Sequence, residues 1–217
     1  MKYGSVMKAS DLYYLLLTTC GLKEQVVCDL HHPCAESRGC ERSQQHKMID
    51  FDAVKTYYCS KKKSESLAST DAYTFCGCKY CFIEIKGWKE FLKWHEKKLT
   101  DEQIYKQVSK YNLKAKFVDS LKICVGICED IACKDLSFQN ASIVYIVITD
   151  IDVNDGIGQL MSDLNFLAET SSDWDKFCNT ALRTQLDEVS TSPDLHIEKY
   201  YESCKSCDTL LDKLSDK

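Results

Sequence analysis

Thr70–Trp88 reads TDAYTFCGCKYCFIEIKGW, and the fold turns on how this stretch pairs with itself. Two runs rich in Tyr, Phe, Thr and Ile flank Gly77, the pattern of a tight β-hairpin. A two-residue turn at Gly77-Cys78 sets Cys76 opposite Lys79, Phe75 opposite Tyr80, Thr74 opposite Cys81 and Tyr73 opposite Phe82. Continued outward, the ladder brings Asp71 to Glu84. Opposed residues share a face with their Cβ atoms about 5 Å apart. Lys86, two residues beyond Glu84, shares it too. One register therefore gathers two carboxylates and an ammonium, while a slip by one residue turns a carboxylate away.

Around the hairpin, residues 9–27 read as a helix with Leu12, Leu15, Leu16 and Cys20 apolar, and Ser10 before Asp11 resembles an N-cap. Met48–Tyr58 begins with alternation (Ile49, Phe51 and Ala53 against Asp50 and Asp52) and reads as a strand. Ser60–Ser69 reads as a basic loop. Three helical patterns follow the hairpin: Trp88–Lys98; one opened by Thr100, with Gln103 at capping-box spacing; and Ala115–Cys133, whose Phe117, Leu121, Cys124, Val125, Cys128 and Ile131 form one face. Ala141–Asp150 is a continuous β-branched run, the mark of a strand buried on both faces. Asp155 heads a helical pattern with Ile157, Leu160, Leu164 and Leu167, and Trp174–Val189 and His196–Leu214 read as two more helices. The order is that of an α/β protein with a mixed central sheet flanked by helices.

The chain of 217 residues, 44% apolar and 28% charged, suffices for one domain with a sizeable core. We read 1–217 as a single domain, with a core over about 10–170 and a helical C-terminal extension over 171–217. The net charge of −5 excludes a generally basic coat. Ala53–Lys122 nonetheless carries fifteen lysines against eight acids, so the positive excess surrounds the hairpin, where a phosphate backbone favours it. Lys55, Lys61, Lys62, Lys63, Lys89 and Lys93 are the candidate nucleic-acid contacts. A solvated lysine-rich helical face has the same composition. The apolar run Leu12–Leu17 is too short for a bilayer, and Asp11 interrupts any signal-like pattern after Lys2 and Lys8. No targeting segment or membrane association is expected, and the location read is cytoplasmic.

Two opposed carboxylates repel unless neutralised. A hard divalent cation such as Mg²⁺ or Mn²⁺ does so with oxygen ligands, and the Ile85 carbonyl is a plausible extra ligand. Such an ion polarises a phosphoryl group, and Lys86 can orient water or stabilise developing charge. An exposed cross-strand charge cluster is the alternative; the apolar neighbours Phe82, Ile83 and Ile85 argue for a central strand, where charges are costly unless functional or paired.

Asp71-x12-Glu84-Ile85-Lys86 on a hairpin, following a helix and a strand and preceding a helix, resembles the PD-(D/E)XK (restriction-endonuclease-like) nuclease superfamily. The resemblance spans residues 10–170 by element order (αβββαβ) and three residues by motif. Thr70 stands where many members have proline. It implies that Asp71 and Glu84 bind metal, that Lys86 assists the nucleophile, and that the substrate is DNA rather than RNA. Many members add an acid from an earlier helix; Glu24, Glu36 and Asp52, the last on the first expected strand, are the candidates, with no basis for choosing. The alternative is a catalytically inactive binding or protein-interaction module of the same fold. A partner protein or homodimer is compatible with Tyr200, Tyr201, Leu210, Leu211 and Leu214.

Fourteen cysteines are many for such a chain. Cys28, His31, His32, Cys34 and Cys40 have the ligand types for zinc but no recognised spacing, so structural zinc is not expected. Cys59, Cys76, Cys78 and Cys81 read as core or surface thiols. Cys204-x-x-Cys207 on an expected helix lacks the βαβ context of a redox motif. A disulfide-bonded secreted domain is the third reading of the composition. His95 and His196 read as surface residues.

Overall fold

The computed structural model describes residues 7–30, 45–63, 67–95, 99–131, 136–151, 153, 173–189 and 195–216. A five-stranded open sheet runs in the order β1-β2-β3-β4-β5. Its strands are β1 (Ile49–Asp50), β2 (Ala72–Cys76), β3 (Lys79–Lys86), β4 (Ile143–Thr149) and β5 (Ile197–Ser203). The helices are α1 (Ala9–Thr19), α2 (Val27–Leu30), α3 (Phe51–Lys62), α4 (Lys89–His95), α5 (Asp101–Tyr111), α6 (Leu113–Asp130), α7 (Asp173–Asp187) and α8 (Cys207–Ser215). Strands β1, β2 and β3 are antiparallel, whereas β3, β4 and β5 are parallel. β3 is thus where the sheet changes sense.

The hairpin has the expected register, from Cys76 opposite Lys79 to Ala72 opposite Ile83. Gly77 holds φ +58 in the turn, a conformation that favours glycine. β4 is buried along its whole length, as its apolar run requires. Phe82 on β3, with Tyr145 and Val147 on β4, faces a core built with α1, α3, α6 and α7. Cys81, Ile83 and Ile85 face a smaller core beneath α2 and α8.

Several expectations change. The strand expected over Met48–Tyr58 stops at Asp50, whose carboxylate accepts from the Ala53 N–H at 3.0 Å and caps α3. From there the spacing of Phe51 and Val54, both buried, is helical. Asp52 consequently sits in the first turn of a helix. α3 also absorbs Ser60–Lys62, expected as loop. α1 ends at Thr19, ahead of Gly21 at φ +64; its N-cap is Lys8 without a side-chain bond, and Ser10 lies inside the helix.

The C-terminal extension is not purely helical. Within the helix expected over His196–Leu214, Ile197–Ser203 alternates across a sheet edge and pairs in parallel with β4, and only Cys207–Ser215 is helical. The tyrosines Tyr200 and Tyr201 favour a strand, and no helical stripe competes. The Thr100–Gln103 capping box is present, and Asn112 at φ 47 links α5 to α6. The helical pattern headed by Asp155 lies outside the described residues. Among the described residues no helix is long and apolar enough to cross a membrane.

Candidate functional site

The C-terminal end of β3 lies beside that of β4, with Glu84 paired to Val147 and Lys86 to Thr149. In open α/β sheets this is the end where ligands bind. β2 stops at Ala72, so Asp71 is the residue at which the hairpin ladder opens. Its N–H donates to the Ile83 carbonyl at 3.0 Å. Its carboxylate accepts from the Ile85 N–H at 2.6 Å and so completes the ladder with a side chain.

Phe82, Glu84 and Lys86 alternate onto the α6 face. Glu84 is fully buried. Lys86 Nζ donates to Asp71 Oδ2 at 3.2 Å and to the Ile85 carbonyl at 3.0 Å, and also contacts Glu84 Oε1. The structure therefore brings Asp71, Glu84, Lys86 and the Ile85 carbonyl together, the grouping expected from the register.

A fourth group was not visible in the sequence. Lys116, in the first turns of α6, places Nζ 2.5 Å from Glu84 Oε1 and 3.4 Å from Asp71 Oδ1. Its helix is tied to the loop before Asp71. The Thr70 N–H donates to Ser120 Oγ at 2.9 Å, Ser120 lies one turn beyond Lys116, and the Ala68 N–H donates to Asp119 at 3.2 Å. Tyr111 is the other addition: Lys86 Nζ lies 5.1 Å from its ring centroid, and Gln107 Nε2 donates to its hydroxyl at 3.4 Å. The only sequence signal for Lys116 is its position beside buried Phe117 and four residues before Ser120, which any amphipathic helix shares.

Burial, with the Asp71 charge nearby, raises the Glu84 carboxyl to about 7, although Lys86 and Lys116 pull the other way. Burial opposes the charge on Lys86, but Glu84 and Asp71 outweigh it and raise its pKa. Lys86 is thus held as an ammonium. Glu84 Oε2 is buried and has no hydrogen-bond partner among the described residues. Such an atom is costly unless a ligand completes it.

Among the described residues no three His, Cys, Asp or Glu side chains are grouped to hold a metal ion. Of the candidate third acids, Asp52 and Glu24 do not join the pair. Asp52 instead accepts from Lys55 Nζ at 2.6 Å and from Ser69 Oγ at 2.5 Å. Those bonds, with the Lys55 and Lys116 charges, outweigh burial and lower its pKa. Glu24 accepts from the Tyr13 hydroxyl, and Glu36 lies outside the described residues. Two carboxylates and one carbonyl still suit Mg²⁺ or Mn²⁺, which keep several waters and take substrate oxygens. The unpartnered Glu84 Oε2 fits that donor set.

Asp150, just beyond β4, fixes the corner after Lys86. Its carboxylate accepts from the Trp88 N–H at 2.6 Å and the Lys89 N–H at 3.3 Å. Asp150→Ala is expected to cost about 1–3 kcal/mol, because the buried Trp88 N–H loses its acceptor. Urea denaturation checks this.

Of the candidate nucleic-acid contacts, Lys61, Lys62, Lys63, Lys89 and Lys93 are exposed. Lys62 pairs with Asp130, Lys61 lies over Tyr57, and Lys55 is engaged by Asp52. Lys89 and Lys93 lie on α4, which starts three residues after Lys86. Of the cysteines, Cys76, Cys81, Cys124, Cys178 and Cys207 are buried thiols. Cys207 opens α8 and Cys204 lies in the preceding turn, so the Cys204-x-x-Cys207 spacing is not on one helix. His31, His32, Cys34 and Cys40 lie outside the described residues. Neither protein-family models, nor curated proteins, nor solved structures gave a match to this chain.

Proposed function

We propose that this protein is a divalent-metal-dependent nuclease of the PD-(D/E)XK class, hydrolysing phosphodiester bonds in DNA rather than RNA. One observation carries the reading: Asp71, Glu84 and Lys86 converge at the end of a central strand, with Glu84 fully buried and one of its oxygens without a partner. The order α1, β1, β2, β3, α6, β4, with β3 and β4 parallel, supports it. It departs from the αβββαβ order by the added helices α2, α3, α4 and α5.

In this reading Asp71 and Glu84 hold Mg²⁺ or Mn²⁺, with the Ile85 carbonyl as a further donor. When bound, the ion supplies Lewis acidity toward the phosphoryl group. Lys86 lies beside both carboxylates. It orients the attacking water and offsets charge developing on the phosphorus oxygens. The Tyr111 ring and the Ile85 carbonyl hold its ammonium in place. The exposed lysines Lys89 and Lys93 lie on the helix that follows β3 and suit the phosphate backbone. The buried thiols support a reducing, cytoplasmic location as part of the same proposal.

The test is cleavage of supercoiled plasmid, single-stranded DNA and RNA with Mn²⁺, Mg²⁺ or EDTA. Asp71→Asn, Glu84→Gln and Lys86→Ala are each expected to lower metal-dependent cleavage by about a hundredfold or more. Cleavage undiminished in Glu84→Gln sinks the assignment.

A second reading, a binding module that keeps the fold without activity, is favoured by the pairing of both carboxylates with two lysines. It predicts neither cleavage nor Mn²⁺ uptake that depends on Glu84.

A further inference from the structure

We infer that Lys116 is a resident counter-ion, which leaves the two carboxylates when metal binds and transfers to a phosphodiester oxygen of the substrate. This rests on the nuclease reading above. The ammonium of Lys116 reaches the facing oxygens Glu84 Oε1 and Asp71 Oδ1, the position of a cation shared by two carboxylates. A divalent ion that bridges the pair through the unpartnered Glu84 Oε2 also needs Asp71 Oδ1, because Asp71 Oδ2 is taken by the Ile85 N–H and Lys86. At the roughly 2.0–2.1 Å of Mg²⁺ Lys116 cannot keep that oxygen, so the two cations exclude one another.

Charge leads to the same conclusion. With both carboxylates ionised, Asp71, Glu84, Lys86 and Lys116 sum to zero. A divalent ion added to all four makes the buried cluster doubly positive, which low-dielectric surroundings disfavour. Release of Lys116 lowers the charge on the carboxylate cluster from two positive to one, and the single negative charge of the substrate phosphodiester, shared by the metal and Lys116, lowers the sum over all the groups to one positive charge. Metal and phosphodiester accordingly bind cooperatively, and metal alone binds weakly.

Lys116 rather than Lys86 is the group that moves. Lys86 is 11% exposed and is held by Asp71, Glu84, the Ile85 carbonyl and the Tyr111 ring. Lys116 is 23% exposed. Its ammonium contacts are the two carboxylates, and its stem starts from a helix beside the opening of the ladder.

The experiment is Mn²⁺ titration, followed by the electron paramagnetic resonance of the free ion. Wild type, Lys116→Met, Lys116→Gln and Lys116→Gln/Glu84→Gln are compared at one pH, with and without dimethyl phosphate as the phosphodiester. Both single variants are expected to bind Mn²⁺ about tenfold or more tightly than wild type, a gain of about 1.4 kcal/mol. Dimethyl phosphate is expected to tighten Mn²⁺ binding to wild type and to have much less effect on the variants. The double variant is expected to lose the site. Two variants are used so that circular dichroism can identify a folded one to read. If wild type and the single variants bind equally and the double variant does not, the counter-ion inference is overturned and the two-carboxylate metal site stands. Equal effects of dimethyl phosphate on wild type and variants overturn the transfer. If no protein shows Mn²⁺ binding that depends on Glu84, the inference and the nuclease reading fall together.

Discussion

Phe82→Ala is expected to cost about 3–5 kcal/mol, the range for removing a large aromatic side chain from a core, and so a large part of a domain's total stability. Phe82 is fully buried on β3. Its ring centroid lies 5.0 Å from that of Tyr73, 5.9 Å from Phe51, 5.7 Å from Phe117 and 6.3 Å from Phe138. These partners come from β2, α3, α6 and the segment before β4. Surroundings drawn from four parts of the chain cannot all collapse into the vacated volume, so the cavity persists. Phe82 also shares a face with Glu84, and the loss should loosen α6 over the carboxylates. Urea denaturation gives the cost. A change below about 1 kcal/mol would mean that the site collapses freely or that the ring is not enclosed.

Stability should fall relative to Glu84→Gln as pH rises from about 5 to about 8. Burial raises the Glu84 carboxyl from 4.5 to about 7, so between these values the folded state binds more protons than the unfolded chain. Stability then declines with rising pH. Below about pH 4.5 the acid is protonated in both states, and above about pH 7 the full cost of ionising it in the fold is present. At about 1.36 kcal/mol per pH unit, the displacement sets an upper limit of about 3 kcal/mol. Glutamine does not titrate, so the difference between the two stability curves isolates this group. Urea denaturation of both proteins at pH 5, 6.5 and 8 measures it. A difference that stays flat, or grows with pH in favour of wild type, would show that Lys86 and Lys116 hold the carboxylate ionised throughout. Within the metal-binding reading, Mn²⁺ at pH 8 should remove most of the decline in wild type and none of the glutamine baseline.

The hairpin and the acids at its mouth were legible because side-chain period and turn length together leave one register. Gly77 marks the turn, and counting outward leads to Asp71 and Glu84. β4 was legible for a different reason: a run of seven apolar and β-branched residues ending in Thr149 has no polar face to expose. Asp52 falls on an expected strand because five alternating residues resemble one, and the deciding event is one bond to the Asp50 carboxylate from the Ala53 N–H. β5 was read as helix because an edge strand is only half covered, and its alternation of Tyr, Glu and Lys is weak. Lys116 lies thirty residues beyond Lys86 on another element. Its approach depends on how α6 crosses the sheet, which no local pattern in the sequence encodes. Tyr111 and Gln107 were missed for the same reason.

The change of sense at β3 also divides the order in which the site can assemble. β2 and β3 meet through a two-residue turn, a closure with little entropy to overcome, whereas β4 joins β3 only after the long crossover that carries α4, α5 and α6. The two carboxylates are therefore neighbours by local chain connectivity, and the lysine that balances them comes with the slower, non-local half. In a hairpin that closes first, the mouth is an acidic pair open to water, where its charges are tolerated. Its burial waits for α6 to dock, and α6 brings the neutralising charge with it. Desolvation and neutralisation are thus coupled in one docking step, which spares the chain a stage in which Glu84 is enclosed without Lys116.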